Sequence, residues 1–308
     1  MKIIKIIYVL LNFRIILMLS LYKKNKVCIC TIGKKENLYA KEFVDYYKDK
    51  GINKIFLYDN NDKNGENFDL VLKEYIDKRY VEIVDIRGLN APQIQAMEDC
   101  RKKNFKKFDW LIFYDMDEFL YLRNYSKINN YLNQKIFEKC QRIQLNWFCH
   151  TDNDLLYYDN RTLAARFPLT DKRWNGRELG GSEGIKSILK GNIDLEITNA
   201  HTLNSKLISC DGFGKIRKDI GIITNESDHY YYYIDHYWAK STEEFVNKLL
   251  KGSVALGNDT KHYMKRINMY FNLCNITLEK INYIENKTKL NLSMFRLRLK
   301  NEPIIIIN

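Results

Sequence analysis

The sequence predicts an α/β fold, a mostly parallel sheet flanked by helices, and three observations carry that prediction. Short β-branched or apolar runs alternate with amphipathic stretches of helical length between Val27 and Phe119. Each apolar run closes on a glycine or on a polar segment. The alternation weakens after about Tyr125, so the second half is expected to be mixed α/β.

The elements follow in order. Val27–Ile32 (VCICTI) reads as a buried strand that Gly33 ends. Glu36–Lys50 reads as a helix with an apolar face of Leu38, Phe43, Tyr46 and Tyr47, closed by Gly51. Ile55–Tyr58 is a second strand, followed by the turn Asp59-Asn60-Asn61-Asp62. Helices over Phe68–Lys78 and Ile94–Phe105 flank a third strand, Val81–Asp85. The fourth strand, Trp110–Tyr114, runs into Asp115-Met116-Asp117-Glu118-Phe119. Beyond it, Arg142–Phe148 and the tyrosine-rich Tyr230–Tyr237 read as strands, and Ser241–Leu250 as a helix. Residues 1–26 form an apolar and basic leader. Residues 27–125 and 126–252 are the nucleotide-binding and acceptor halves of one domain, and 253–308 a basic helical extension.

Composition narrows the function classes. With 45% hydrophobic residues, three prolines and fourteen glycines, the 308-residue chain is neither disordered nor linker-rich. Its net charge of +12 favours anionic partners. No basic stripe interleaved with glycines and aromatics points to nucleic acid. Seven cysteines lack CxxC or zinc spacing and are expected as buried, reduced thiols. Cys28 and Cys30 should face the same side of their strand. The run Ile6–Leu21 is apolar but interrupted by Asn12 and Arg14, with Lys23, Lys24 and Lys26 after it. It suits a helix lying on an anionic membrane surface, with a single-pass signal-anchor as the alternative. The expected location is cytoplasmic and peripheral at the membrane.

In a mostly parallel sheet, ligands bind beyond the carboxyl ends of the strands. Thr31, Asp59 and Asp115–Glu118 all fall there. Asp115 and Asp117, two apart at a strand end, can turn both carboxylates toward one hard divalent cation, Mn2+ or Mg2+, which would bridge to a diphosphate. Glu118 is expected to support them, and Phe119 to be core. Lys186 is a candidate phosphate contact. His236 and His201 are candidate imidazole ligands, set against structural roles. Glu183, in the glycine-rich loop WNGRELGGSEG, and Asp211, in SCDGFGK, are alternative bases for an acceptor hydroxyl, set against roles in turns. Trp174 and Tyr230–Tyr233 could stack on sugar faces or belong to the core.

Several of these motifs occur together in one family. The segment Lys34–Gly51, the YDN of Tyr58-Asp59-Asn60, Gln95 with Cys100 in one helix, Asp115-x-Asp117-Glu118-Phe119, and His236-Tyr237 before Lys240-Ser241 resemble glycosyltransferase family 92 and related family-2-like enzymes. The second segment lacks the family's serine and carries Asp62 one place early. The resemblance spans roughly Val27–Gly252 and implies a GT-A-type, Rossmann-like fold. It implies a UDP-sugar donor, UDP-galactose in particular, a saccharide acceptor and inversion. Asp59 would contact base or ribose, Gln95 the donor, Asp115 and Asp117 ribose and metal, and His236 would complete the metal shell. The competing classes are a sugar-phosphate nucleotidyltransferase, for which Gly33-Lys34-Lys35 is too poor in glycine, and a non-catalytic saccharide-binding or membrane-surface protein on the same fold.

Overall fold

A computed structural model describes residues 25–170, 184–217, 228–252 and 262–301. The strands β1 (Val27–Gly33), β2 (Lys54–Asp59), β3 (Val81–Asp85) and β4 (Trp110–Phe113) alternate with helices α1 (Asn37–Asp49), α2 (Phe68–Asp77) and α3 (Gln93–Asn104). Then come β5 (Glu118–Leu122), α4 (Ile128–Leu132), β6 (Arg142–Cys149), α5 (Leu163–Arg166), β7 (Ile185–Lys190), β8 (Ser209–Cys210) and β9 (Ile216–Arg217). The short helix α6 (Asp228–Tyr231) leads into β10 (Tyr232–His236) and α7 (Thr242–Leu250). Helices α8 (Tyr263–Leu273), α9 (Leu278–Thr288) and α10 (Ser293–Asn301) follow.

The strands join in the order β3-β2-β1-β4-β7-β6-β10-β5, with β8 and β9 branching from β6. The first four are parallel, and Gly33, Asp59 and Asp85 stand side by side at their carboxyl ends. β7 runs antiparallel to β4 and β6, β10 is parallel to β6, and β5 is antiparallel to β10. These directions put the start of β7, the ends of β6 and β10, and the start of β5 on the same edge as the ends of β1, β2 and β4.

Side-chain alternation assigns β1 to two cores. Val27 and Ile29 face α1 and its residues Ala40, Phe43, Val44 and Tyr47, whereas Cys28, Cys30 and Ile32 face Ala96, Met97 and Cys100 of α3. Burying each such aromatic or aliphatic side chain contributes about 1.5–3 kcal/mol. Gly51, at φ 85°, turns the chain out of α1 in the left-handed conformation that side chains resist. Helix α7 opens on a full capping box, Ser241 with Glu244. Glu244 also takes Arg166 at 2.6 Å and the Tyr39 hydroxyl at 2.6 Å, joining α7, α5 and α1 in one buried network.

One expectation changes here. Cys30 is disulfide-bonded to Cys100, and Cys140 to Cys210, so reduced thiols throughout was the wrong reading. Both partners are 70 residues apart, and only the crossing of β1 with α3, and of the turn before β6 with β8, brings them together. The basic carboxyl-terminal helices pack against the segment after β6. Lys280 on α9 reaches Asp152 at 2.6 Å and Asp154 at 2.8 Å, and Tyr270 on α8 donates to Asp152 at 2.6 Å. The leader segment Ile6–Leu21 lies outside the described residues. Among the described residues, no helix is long and apolar enough to cross a membrane.

Candidate active site

The chain leaves β4 at Phe113 and enters β5 at Glu118, four places away in the sheet. Residues 114–117 cross the carboxyl edge between them, with Met116 against Gly33 at the end of β1. Gly33 makes room for this crossing: a Cβ there would stand 2.8 Å from Met116 Cε and 2.6 Å from Phe68 Cζ. Two hydrogen bonds close the turn, Glu118 N–H to the Asp115 carbonyl at 3.1 Å and Asp115 N–H to Glu118 Oε2 at 2.9 Å. Tyr47 donates its hydroxyl to the Glu118 carbonyl at 2.8 Å, and Tyr237 N–H reaches the Asp117 carbonyl at 2.9 Å. Phe119 packs among Phe43, Tyr46, Tyr47 and Tyr237, as expected of core.

Because the motif is a turn and not a strand, strand alternation does not align its carboxylates. Asp115, with its side chain 34% exposed, meets Lys186 Nζ of β7 at 2.8 Å and Gln93 Nε2 at 3.4 Å. Asp117 is 5% exposed and meets Lys248 Nζ of α7 at 2.6 Å, with Lys240 Nζ at 3.6 Å. His236, the last residue of β10, puts Nε2 3.6 Å from Asp117 Oδ1, and its ring lies 4.2 Å from that of Trp147. His236 and Asp117 are 119 places apart in sequence; the pairing of β10 with β5 joins them.

Burial and charge set the protonation states. Burial alone would raise the Asp117 carboxyl, but Lys248, Lys240 and His236 hold it well below the usual range. Burial pushes the Glu118 carboxyl up, against the pull of Lys186, and its Oε2 serves the turn. Burial works against the Lys186 ammonium, yet Asp115 and Glu118 raise it and keep it charged. Burial lowers His236, against the pull of Asp117, which leaves a neutral imidazole at neutral pH. His201 is lowered to about 4 by burial and by the charge of Lys186. Its Nδ1 faces the Ile185 carbonyl at 3.2 Å and its ring stands 5.2 Å from Trp147, so it braces β7 and β6.

A crevice beside Asp115 is lined by Thr31, Tyr58, Gln93, Met97, Tyr114 and Lys186. Among the described residues, the buried hydroxyls of Thr31 and Tyr114 find no hydrogen-bond partner. An orphan polar atom of this kind is costly unless a ligand satisfies it. Asp59 is buried at the same edge, caps the Asn61 amide at 2.9 Å, and is raised by burial.

Other candidates fare differently. Gln95 is exposed, whereas Gln93, where α3 begins one residue earlier than expected, is buried. Asp211 does not join the cluster: its Oδ1 accepts from Phe213 N–H and Lys215 N–H, both at 3.0 Å, which is the work of a turn residue between β8 and β9. Glu183 and Trp174 lie outside the described residues. Tyr230 is exposed, Tyr232 is buried against Tyr131, and the half-buried Tyr233 stacks on Tyr121. Lys248 was not singled out from the sequence. The available signal was a lysine three residues after Phe245, on the apolar stripe of α7 with Leu249 beside it.

The donor set of two carboxylates and a neutral imidazole suits a hard divalent cation in its chemistry. In the arrangement present, Asp115 and Asp117 each face a lysine. Among the described residues, no three histidine, cysteine or acidic side chains stand together as a metal cluster.

The fold and this edge define an α/β protein with a charged site at the switch from parallel to mixed sheet. The profile of glycosyltransferase family 92 matches residues 23–191, more than half of the chain, and the chain belongs to that family. A family 92 protein of Ricinus communis is 24% identical over 240 residues, covering 74% of this chain and 38% of the relative. One of Oryza sativa subsp. japonica is 27% identical over 114 residues, covering 34% of this chain and 19% of the relative. The chain thus spans well under half the length of these curated relatives. Among solved structures, S. aureus TarS 1-349 in complex with UDP-GlcNAc aligns at a TM-score of 0.39 and 11% identity, over 88% of this chain and 80% of that one.

Proposed function

We propose that the protein transfers a sugar, galactose being the family's suggestion, from a UDP-sugar to a saccharide acceptor with inversion at the anomeric carbon. The observation that carries this reading is the convergence of Asp115, Asp117, Lys186 and His236 on the carboxyl edge beside the crevice of Thr31 and Tyr114. Gln93, beside Asp115, takes the donor role expected of Gln95. In the reaction the bond from anomeric carbon to diphosphate breaks, a new bond to the acceptor oxygen forms, and the acceptor's proton leaves. The diphosphate gains charge, and the cationic side chains of this edge are placed to meet it.

Asp115, Asp117 and His236 would hold Mn2+ or Mg2+, which when bound would supply Lewis-acid stabilisation of the same charge. Glu183 remains the proposed base, since Asp211 is committed to its turn. The membrane surface is a proposed partner through the basic leader. The two disulfides favour an oxidising compartment over the cytoplasm.

A donor panel read by UDP release, with and without Mn2+ and with added saccharides, tests the reading. UDP-sugars should be consumed, faster with an acceptor, and Asp115→Asn should cut the rate by about 100-fold or more. Release of UDP from no donor under any condition would remove the proposal. Nucleotidyl transfer would instead show as sugar phosphate and pyrophosphate exchange.

A further inference from the structure

Asp117 is over-neutralised. One carboxylate faces two buried or half-buried ammonium groups, Lys240 and Lys248, and its charge also reaches Arg266 of α8. A metal-ligating carboxylate has no need of this excess, and two lysines beside one carboxylate repel each other unless a further anion arrives. Lys240 is held there at φ 55°, a left-handed backbone that costs a non-glycine residue about 1 kcal/mol or more. Its ammonium sits 4.1 Å from the centre of the Tyr39 ring. Beside Lys248 opens a cavity of about 530 Å³ whose walls carry Lys35, Lys240, Lys248 and Lys251 together with Glu66, Glu243 and Glu244. Lys251 is three residues along α7 from Lys248 and faces the same space, anchored by Glu36 at 3.0 Å.

We infer that Lys248 is a diphosphate-binding residue that rests on Asp117 until the donor arrives, then exchanges that carboxylate for a phosphate oxygen. The inference rests on the nucleotide-sugar reading and adds to it a cation supplied by the protein. Its ligand class is a nucleoside diphosphate. The exchange breaks no covalent bond; one ion pair replaces another, and Asp117 is released toward the cleft. Lys240 stays on Asp117 throughout, so the carboxylate keeps a partner in either state. A consequence is competition: without nucleotide, Lys248 and a divalent cation seek the same carboxylate.

Calorimetric titration separates the parts of this claim. UDP in chelator, uridine in chelator, and MnCl2 without nucleotide are each titrated into wild type, Lys248→Met and Asp117→Asn, with melting curves alongside. Lys248→Met should bind UDP about 30-fold more weakly, the low end of the loss on removing one charged partner. It should bind uridine as wild type does and Mn2+ alone more tightly. Asp117→Asn, which frees the lysine, should bind UDP in chelator more tightly than wild type, and it reads the same exchange should Lys248→Met not fold. Equal UDP affinity in Lys248→Met, an equal loss for uridine, Mn2+ binding no tighter, or weaker UDP binding by Asp117→Asn would each overturn the inference. Wild type that binds no UDP with or without Mn2+ would overturn the nucleotide-sugar reading as well. Wild type that binds UDP while the variants fail to shift overturns only the role of Lys248.

Discussion

Asp117 shows what a single residue at this edge must do twice. It is proposed to hold a cation for catalysis, and it already neutralises two lysines in the fold. Asp117→Ala therefore removes activity and also strands Lys240 and Lys248 without their carboxylate. A loss of about 3 kcal/mol in urea unfolding is expected, the low end for a broken buried pair because Lys248 can turn into the adjoining cavity. An unchanged unfolding midpoint would show that the ion pairs contribute nothing. His201 gives a pH signature of opposite origin. Its folded pKa of about 4 lies below the ordinary value of 6.5, so the unfolded chain takes up the proton first as pH falls. Stability is then whole above pH 6.5 and declines between there and pH 4, by up to about 3 kcal/mol. His236 is shifted the same way and adds to the decline. His201→Gln should flatten the slope of unfolding free energy between pH 7 and 5; a slope identical to wild type would assign the pH dependence elsewhere. At this scale the sequence was informative where chemistry and chain position coincide. Asp115, Asp117 and His236 each close or follow a strand, and that placement marked them. Lys248 hides on an amphipathic helix where its charge looks like solvent-facing decoration. Gln93 was passed over for Gln95 because α3 starts one residue before the expected Ile94, a difference finer than a helix start can be read from sequence.

The elements were legible where a local pattern decides them. The parallel β1–β4 unit follows from apolar runs, glycine stops and helical spacing, and its strands fall within a residue or so of expectation. What the pattern could not supply was the strand pairing of the second half, because β7, β6 and β10 are chosen by distant partners. The disulfides belong to the same class of fact, since Cys30 meets Cys100 only after β1 and α3 pack. Gly33 joins the two kinds of information. It reads as a strand terminator in the sequence, but its structural task is to let Met116 of the acidic turn pass over the end of β1. Gly33→Ala should force Met116 and Phe68 to shift, costing about 1–3 kcal/mol of stability as overpacking does. It should also weaken UDP binding, because the turn that carries Asp115 and Asp117 rides on Met116. A variant with wild-type stability and UDP affinity would mean the turn has slack that the contact distances do not suggest.

At the scale of the whole molecule, residues 27–125 and 126–252 contribute strands to one sheet. Strand β5 lies within residues 27–125 by sequence, yet it pairs with β10 at the far end of the sheet and not with β4. A fragment of residues 27–125 would therefore keep β3-β2-β1-β4, lose every partner of β5, and expose the edge of β4 that β7 covers. It would also uncover Phe119, Leu120 and Leu122, which are buried in the larger core. Each such side chain left in water forfeits about 1.5–3 kcal/mol, a large share of the 5–15 kcal/mol that keeps an ordinary domain folded. The acidic turn would have no Lys186, Lys240, Lys248 or His236 to meet, and its carboxylates would repel one another. The fragment should accordingly show broad, non-cooperative melting and bind no UDP. Residues 25–301 should unfold in one step, with the fluorescence of Trp110 in β4 and Trp147 in β6 tracking far-ultraviolet circular dichroism. A fragment that melts cooperatively and binds UDP would establish the first half as an autonomous domain and move the functional centre away from the shared edge.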